Sequence, residues 1–270
     1  MSGAHSYGKG VGGFDRTFGL PMRQFIPTLL RLARLSPGQR VLDVATGTGI
    51  AAEAALDAVG SSGHVTAVDD TPAMLDRARE RLSGRPNVAF AVERAGSLAF
   101  SAASFDAVLC SMALMIFPDR AGALSGFRRV LRDGGRLAVS VNTEPERSLT
   151  GRVRVAVARH VPSMRAALAH HYSLGDAAGL RTLLEAAGFR DVETVTETRA
   201  FSFPSFGAYF EPFEQGGGPW GAEYAALPVE ARGVVREEVR RALGDTGGSI
   251  EVEVEIRFAS GRRWTAAPHY

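Results

Sequence analysis

Apolar positions along the chain fall into short dense runs separated by stretches of helical period. Val41-Leu42-Asp43-Val44 is one such run. It breaks at Ala45-Thr46-Gly47-Thr48-Gly49 and is followed by the small-residue stretch Ile50-Ala51-Ala52-Glu53-Ala54-Ala55, which predicts strand, tight turn and helix. His64-Val65-Thr66-Ala67-Val68 predicts a second strand, ending in Asp69. Thr71-Pro72 then predicts a helix start with a hydroxyl N-cap and proline at the first helical position, and Met74, Leu75, Ala78 and Leu82 share one face. Val88 to Val92, Phe105 to Ser111 and Arg136 to Val141 predict three more strands, with a helix over Ala121 to Leu131 closed by Asp133-Gly134-Gly135. Upstream, Pro21 to Leu35 has helical spacing and stops at Ser36-Pro37-Gly38. Strands alternating with helices at this spacing predict an α/β fold: a doubly wound, Rossmann-like parallel sheet with helices on both faces.

The regularity lapses in the last third. Leu149 to His170 reads as helical but is interrupted by Pro162, and Leu174 to Ala187 reads as a helix capped by Ser173. Val192 to Thr198 predicts a sixth strand. Helical pieces at Ser205 to Phe213 and Pro228 to Leu243 flank Gly216-Gly217-Gly218-Pro219. Ile250 to Phe258 alternates Glu with Val and Ile, the pattern of a half-buried antiparallel strand. The expected architecture is therefore a seven-stranded, mostly parallel sheet with an antiparallel C-terminal strand and helical cap insertions. Residues 1–36 read as an N-terminal arm and helix, 37–145 as the binding core, and 146–270 as the rest of the sheet with its insertions, in the same domain. The first nineteen residues are glycine-rich and carry Tyr7, Phe14 and Phe18, an arm able to fold over a ligand.

Composition narrows the function classes. The 270 residues are 45% hydrophobic and 22% charged, an ordinary soluble globular balance. The net charge is +2 and the arginines are interleaved with Asp and Glu, which argues against a nucleic-acid surface. Lys9 is the only lysine, so neither a Tyr-x-x-x-Lys dehydrogenase nor a phosphate loop with G-K-[ST] is present. Cys110 stands alone, which excludes an intramolecular disulfide and suits a reducing compartment. No apolar run approaches the roughly 18 residues of a membrane span, and no signal peptide is seen, so the expectation is a cytoplasmic protein.

The turn after the first strand carries the candidate chemistry. Gly47 and Gly49 permit positive φ and remove side chains that would keep a ligand off the helix N-terminus. Asp69 ends the second strand, where a ribose would present its hydroxyls. Gly47-Thr48-Gly49-Ile50-Ala51-Ala52 fits G-x-G-x-x-A, so spacing alone admits a dinucleotide and an NAD-dependent oxidoreductase. Asp43 favours another ligand: a carboxylate inside the first strand needs a cationic or hydrogen-bonding partner, and it would repel a pyrophosphate while holding an ammonium.

With these residues in view, the chain resembles the class I S-adenosylmethionine-dependent methyltransferases, close to the ubiquinone/menaquinone-type and other small-molecule members. The resemblance rests on Val41 to Gly49, on Val68-Asp69-Asp70-Thr71-Pro72-Ala73-Met74-Leu75, on Leu98-Ala99-Phe100 with Ser104 to Val108, and on Val130 to Gly135, about half the chain in the family's order. It implies S-adenosylmethionine as cofactor. Asp43 would hold the methionine ammonium, with Ala45, Gly47 and Gly49 along the methionine and sulfonium. Asp69 would accept the ribose hydroxyls, Asp70 and Met74 would flank the adenine, and Ser111 joins the cofactor set from the fourth strand. Two departures stand out: Ala45 replaces the first glycine, and Arg94, followed by Ala95, occupies the register that usually accepts from the adenine amino group, which arginine cannot do. Ala95 through its backbone, or Glu93, would take over.

For the methyl acceptor the reading is a small, apolar or aromatic molecule, motivated by the apolar loop Met112 to Phe117 and by Phe201, Phe203, Phe206, Tyr209, Phe210 and Phe213, which serve equally as the core of an insertion. Met112, Met115 and Asn142 are the substrate candidates, Asn142 with Thr143 and Glu144 because ligands bind at the C-terminal edge of parallel sheets. His170-His171-Tyr172 offers a base, against the plainer reading of an exposed polar helix end. No catalytic residue and no metal ligand is assigned. A non-methylating S-adenosylmethionine binder on the same scaffold is the alternative. The oligomeric state is left open.

Overall fold

The computed structural model describes residues 11–264. The backbone is helical from Val11, passing through short turns at Val11–Phe14, Asp15–Gly19, Leu20–Met22 and Arg23–Phe25 into helix α1 (Ile26–Ala33). The expected arm is thus helical over its second half, with the Phe14 and Phe18 rings 5.5 Å apart. Tyr7 lies outside the described residues. α1 buries Ile26, Leu29, Leu32 and Ala33 and ends at Arg34 in the left-handed conformation, φ 53°.

Strand β1 (Arg40–Val44) follows, then helix α2 (Ile50–Val59), β2 (His64–Asp69), α3 (Pro72–Arg81), β3 (Val88–Val92), β4 (Phe105–Ser111), α4 (Arg120–Val130) and β5 (Leu131–Asn142). With β6 (Phe189–Phe203) and β7 (Ile250–Arg263) they form a seven-stranded sheet in the order β3-β2-β1-β4-β5-β7-β6. Strands β1 to β5 pair in parallel, Leu42 of β1 lying opposite Thr66 of β2 and Val108 of β4. The C-terminal strands run antiparallel. β1 is central, which is why Val41 to Val44 is buried throughout and reads as an unbroken apolar run apart from Asp43. The strand order reverses between β1 and β4, and the C-terminal ends of strands at such a switch point are where ligands dock.

Three local expectations change. Asp133-Gly134-Gly135 does not close a helix but sits within β5 as a bulge, the register jumping from Phe105↔Leu131 to Ala107↔Arg136. A Cβ on Gly135 would lie 2.9 Å from the Asp106 carbonyl oxygen, so the bulge has no room for a side chain. Thr71 precedes α3 without capping it, its hydroxyl lying 3.1 Å from Asp70 Oδ1. Helix α7 (Ala177–Ala186) is capped by Asp176, which accepts from Gly179 N at 2.7 Å, rather than by Ser173. As its proline implies, Leu149 to His170 divides into α5 (Gly151–His160) and α6 (Met164–Tyr172) around Pro162.

By packing, residues 25–141, 176–195 and 257–264 form a sheet unit, and residues 11–24, 142–175 and 196–256 a second, largely helical unit. The divisions fall at 24/25 and 141/142 where the sequence suggested 36 and 145, because α1 packs on β4 and α2. The helical unit completes itself with α8 (Phe206–Glu214), α9 (Gly218–Ala225) and α10 (Val229–Ala242). Its core is aromatic: the Phe206 and Phe210 rings stack at 5.2 Å, and Tyr224 meets Phe210 edge-on at 5.2 Å. The side chains of Phe201, Phe206, Tyr209, Phe210 and Phe213 are buried there, so these aromatics are core and not the wall of an open groove. Among the described residues no helix is long and apolar enough to cross a membrane.

Candidate functional site

The sheet unit carries a cradle at the C-terminal ends of β1, β2 and β4. The turn after β1 is pinned by Thr46 N donating to Val68 O at 2.9 Å and Gly49 N donating to Thr46 O at 3.0 Å. Ala45, Gly47 and Gly49 all adopt positive φ, at 55°, 56° and 84°. Alanine in that conformation costs roughly 1–2 kcal/mol, which the turn sustains where the family pattern has glycine. The two glycines differ in what they accommodate. A Cβ on Gly49 would sit 3.1 Å from Ala78 Cβ of α3, so this glycine serves helix packing, whereas a Cβ on Gly47 would meet nothing within 4 Å. The floor at Gly47 is therefore open, beside the N-terminus of α2, whose cap residue Gly49 supplies no side-chain acceptor.

Two carboxylates flank this floor. Asp43 is fully buried; Thr46 Oγ1 donates to its Oδ2 at 2.6 Å, while its Oδ1 is buried with no hydrogen-bond partner. Burial, reinforced by the charge of Asp69, pushes its pKa up to about 7, against the lowering by the Thr46 hydroxyl and the Ala52 backbone amide. Asp69 is 8% exposed and accepts from Gly47 N on Oδ2 and from Thr71 N on Oδ1, each at 2.9 Å. Burial raises its pKa despite these amides. Among the described residues neither carboxylate has an ion-pair partner. The cradle is short of one positive charge, which fits an ammonium and opposes a pyrophosphate.

The other candidates divide by burial. Met74 is buried beneath the loop and Asp70 is exposed beside Thr71. Arg94 is exposed and Ala95 half-buried. Glu93 Oε2 accepts from Ala99 N at 3.3 Å, which shapes the segment around Arg94. Ser111 Oγ lies 3.5 Å from Ser140 Oγ, and Met112 N donates to that same Ser140 hydroxyl at 3.0 Å. Met112 is half-buried with φ 54°, a second strained non-glycine residue at a strand end. Met115, in the turn after β4, is 1% exposed and packs into the core. Cys110, also fully buried, has its thiol pKa raised by burial and by the charge of Asp43.

Asn142 lies in the helical unit, 3% exposed, its Nδ2 2.9 Å from His171 Nε2. His171 is 5% exposed, so α6 does not end as an exposed polar turn there. The Tyr172 ring meets His171 edge-on at 4.8 Å, and the buried Arg154 guanidinium lies 5.5 Å from the Tyr172 centroid. Sequence reasoning singled out His170-His171-Tyr172 and Asn142 separately but not their pairing, although His171 stands seven residues after the buried Met164 and thus on the same helix face. Thr143 is buried with its hydroxyl donating to Glu255 O at 3.3 Å, while Glu144 is exposed.

Comparison with known proteins identifies the segment in which the cradle lies. Residues 41–135, which contain it, match the model of a methyltransferase domain. An aklanonic acid methyltransferase of Streptomyces sp. (strain C5) is 37% identical over 130 residues, 46% of this chain and 58% of that protein. A ubiquinone/menaquinone biosynthesis C-methyltransferase of Rhizobium leguminosarum bv. trifolii is 40% identical over 125 residues, 44% of this chain and 48% of that protein. The chain spans about half the length of the curated relatives it matches. Among solved structures, a Bacillus halodurans protein described as a candidate methyltransferase aligns with a TM-score of 0.62 and 25% identity, over 89% of this chain and 99% of that one.

Proposed function

Starting from a chain that belongs to the class I S-adenosylmethionine-dependent methyltransferases, we propose that it is an enzyme transferring the methyl group of S-adenosylmethionine to a small, largely apolar or aromatic molecule. The observation that carries this reading is the open floor at Gly47, with Asp69 fixed at its edge by Gly47 N and Thr71 N and Asp43 buried behind the same turn. Two carboxylates on one turn, with no cation paired to either among the described residues, favour a cationic ligand over a pyrophosphate.

When bound, the cofactor supplies a methyl group already activated on a sulfonium, so the protein's task is positioning and exclusion of water. Asp43 holds the amino-acid end and favours the cationic ligand. The backbone at Ala45, Gly47 and Gly49 lets that ligand approach the start of α2. Asp69, itself fixed by two amide donors, presents its remaining lone pairs to the ribose hydroxyls. Asp70, Met74 and Ala95 serve the adenine end, with Arg94 outside it, and Ser111 and Met112 border the methyl. Asn142 remains a substrate contact in this reading, and no general base is assigned. The relative named for ubiquinone/menaquinone biosynthesis makes quinones and phenols the first acceptors to test. The buried lone cysteine and the many arginine–carboxylate pairs favour a cytoplasmic enzyme acting on a small molecule over one acting on nucleic acid.

Calorimetric titration with S-adenosylhomocysteine tests the cradle, and methyl-labelled cofactor with a panel of phenols and quinones tests the transfer. One-to-one binding and a labelled acceptor are expected. Binding without any labelled product would leave the non-methylating binder as the correct reading.

A further inference from the structure

The sheet unit has a second concavity, at the end of the sheet away from the cradle. About 440 Å³ in volume, it is lined by Arg34, Gln39, Asp106, Arg136, Asp191 and Arg262, with Ala33 and Gly134. Gln39 precedes β1, Asp106 begins β4, Asp191 is near the start of β6 and Arg262 near the end of β7. The volume lies within the range of small-molecule sites, roughly 300–1,000 Å³.

Its charges are unevenly satisfied. Asp106 is committed: Oδ2 accepts from Arg40 N at 2.7 Å and Oδ1 pairs with Arg132 Nη1 at 2.8 Å. Asp191 pairs with Arg262 Nε at 3.1 Å. Arg136 is 8% exposed, and its Nε is buried with no hydrogen-bond partner. Arg34 and Arg262 repel it, while Glu193 and Asp191 act from the other side, and burial disfavours its charge most. A guanidinium cannot shed its proton in a protein, so the deficit is met only by an anion or by water.

We propose that this cavity binds a phosphomonoester, with Arg136 and Arg34 as the side chains that take the phosphate. Arg34 comes from the left-handed end of α1, Arg136 from β5 just beyond its bulge, and Arg262 from β7. A tetrahedral oxyanion offers acceptors to donors arriving from such different directions, whereas a carboxylate offers two in one plane. The cavity exceeds what a bare phosphate fills, and Gln39, whose Oε1 accepts from Ser36 N at 2.9 Å, offers its amide N–H groups to the remainder of the ester. The assignment is independent of the methyl-transfer reading.

The test is calorimetry on the full chain in a phosphate-free buffer, with ribose 5-phosphate, inorganic phosphate and succinate as probes. Saturable one-to-one binding of ribose 5-phosphate is expected, tighter than phosphate and absent for succinate. Arg136→Met and the surface change Arg34→Gln should each raise its Kd at least about tenfold, with S-adenosylhomocysteine binding unchanged in Arg34→Gln. No saturable binding at millimolar ester, the same Kd in Arg34→Gln as in the parent, or succinate binding as tightly would overturn the site. Equal affinity for phosphate and ester would overturn the ester in favour of the free ion.

Discussion

The two ends of one sheet bury opposite charges in different ways. At the C-terminal edge Asp43 is sealed from solvent with one oxygen unpartnered, and at the other edge Arg136 is nearly sealed with its Nε unpartnered. The carboxylate has an escape: its pKa rises to about 7, so it discharges by taking a proton. The guanidinium has none. Burial therefore makes Asp43 a group that titrates near neutral pH, and leaves Arg136 charged at every physiological pH. The same physical penalty gives pH dependence in one place and permanent anion demand in the other.

The largest effect that would break this contrast concerns the ligand-free protein. Because the Asp43 pKa is raised from 3.8 to about 7 on folding, the folded state holds a proton that the unfolded chain releases. Stability then falls as pH rises from about 4 to 7, by on the order of 4 kcal/mol, and is flat above. Asp43→Asn should remove that slope, giving a variant more stable than the parent at pH 8 and no more stable at pH 4 by scanning calorimetry. Identical slopes would mean that Asp43 titrates normally. Next in size, Asp69→Ala should weaken S-adenosylhomocysteine binding by about 1.5–3 kcal/mol, the scale of charge-assisted hydrogen bonds. Undiminished affinity would remove Asp69 from the ribose.

A sharper version uses pH against binding. Since the ammonium needs Asp43 ionised, S-adenosylhomocysteine affinity in the parent should fall below pH 7 by up to about tenfold per unit, about 1.4 kcal/mol, with one proton released on binding. Titrations in buffers of different ionisation enthalpy measure that proton, and in Asp43→Asn it should be gone. The smallest effect tests the other end: Arg136→Met should stabilise the ligand-free protein by about 1 kcal/mol, equally at pH 5 and pH 8. A gain confined to one pH would contradict a charge that never titrates.

Most of the fold was legible because β1, β2 and β4 are buried on both faces and so spell apolar runs, and because glycines mark the turn at 47 and 49. What escaped had a tertiary cause. The Asp133-Gly134-Gly135 segment carries a turn's signal, and only pairing with β4 makes it a bulge. The cap of α7 moved from Ser173 to Asp176, both good capping types, and the choice depends on where α6 ends. Asp43 and Asp69 stood out as carboxylates at apolar strand ends. The pairing of His171 with Asn142 did not, because its helix is polar on the surface and the two residues are 29 positions apart. The aromatic run from Phe201 to Phe213 named its chemistry but not its side, and burial assigned it to a core. Arg136 carried no signal at all, since an arginine at a strand start ordinarily points to solvent.

If the chain carries out the proposed methyl transfer, Cys110 has a bearing on its own durability. A protein that houses an electrophilic methyl donor is at risk of alkylating itself, and thiolate sulfur is the side-chain nucleophile most exposed to that fate. Here the single sulfhydryl of the sequence is sealed inside β4 and kept un-ionised by its surroundings, the neighbouring Asp43 included. The carboxylate proposed to favour the cofactor thereby also helps, after burial itself, to keep the one thiol of the sequence neutral.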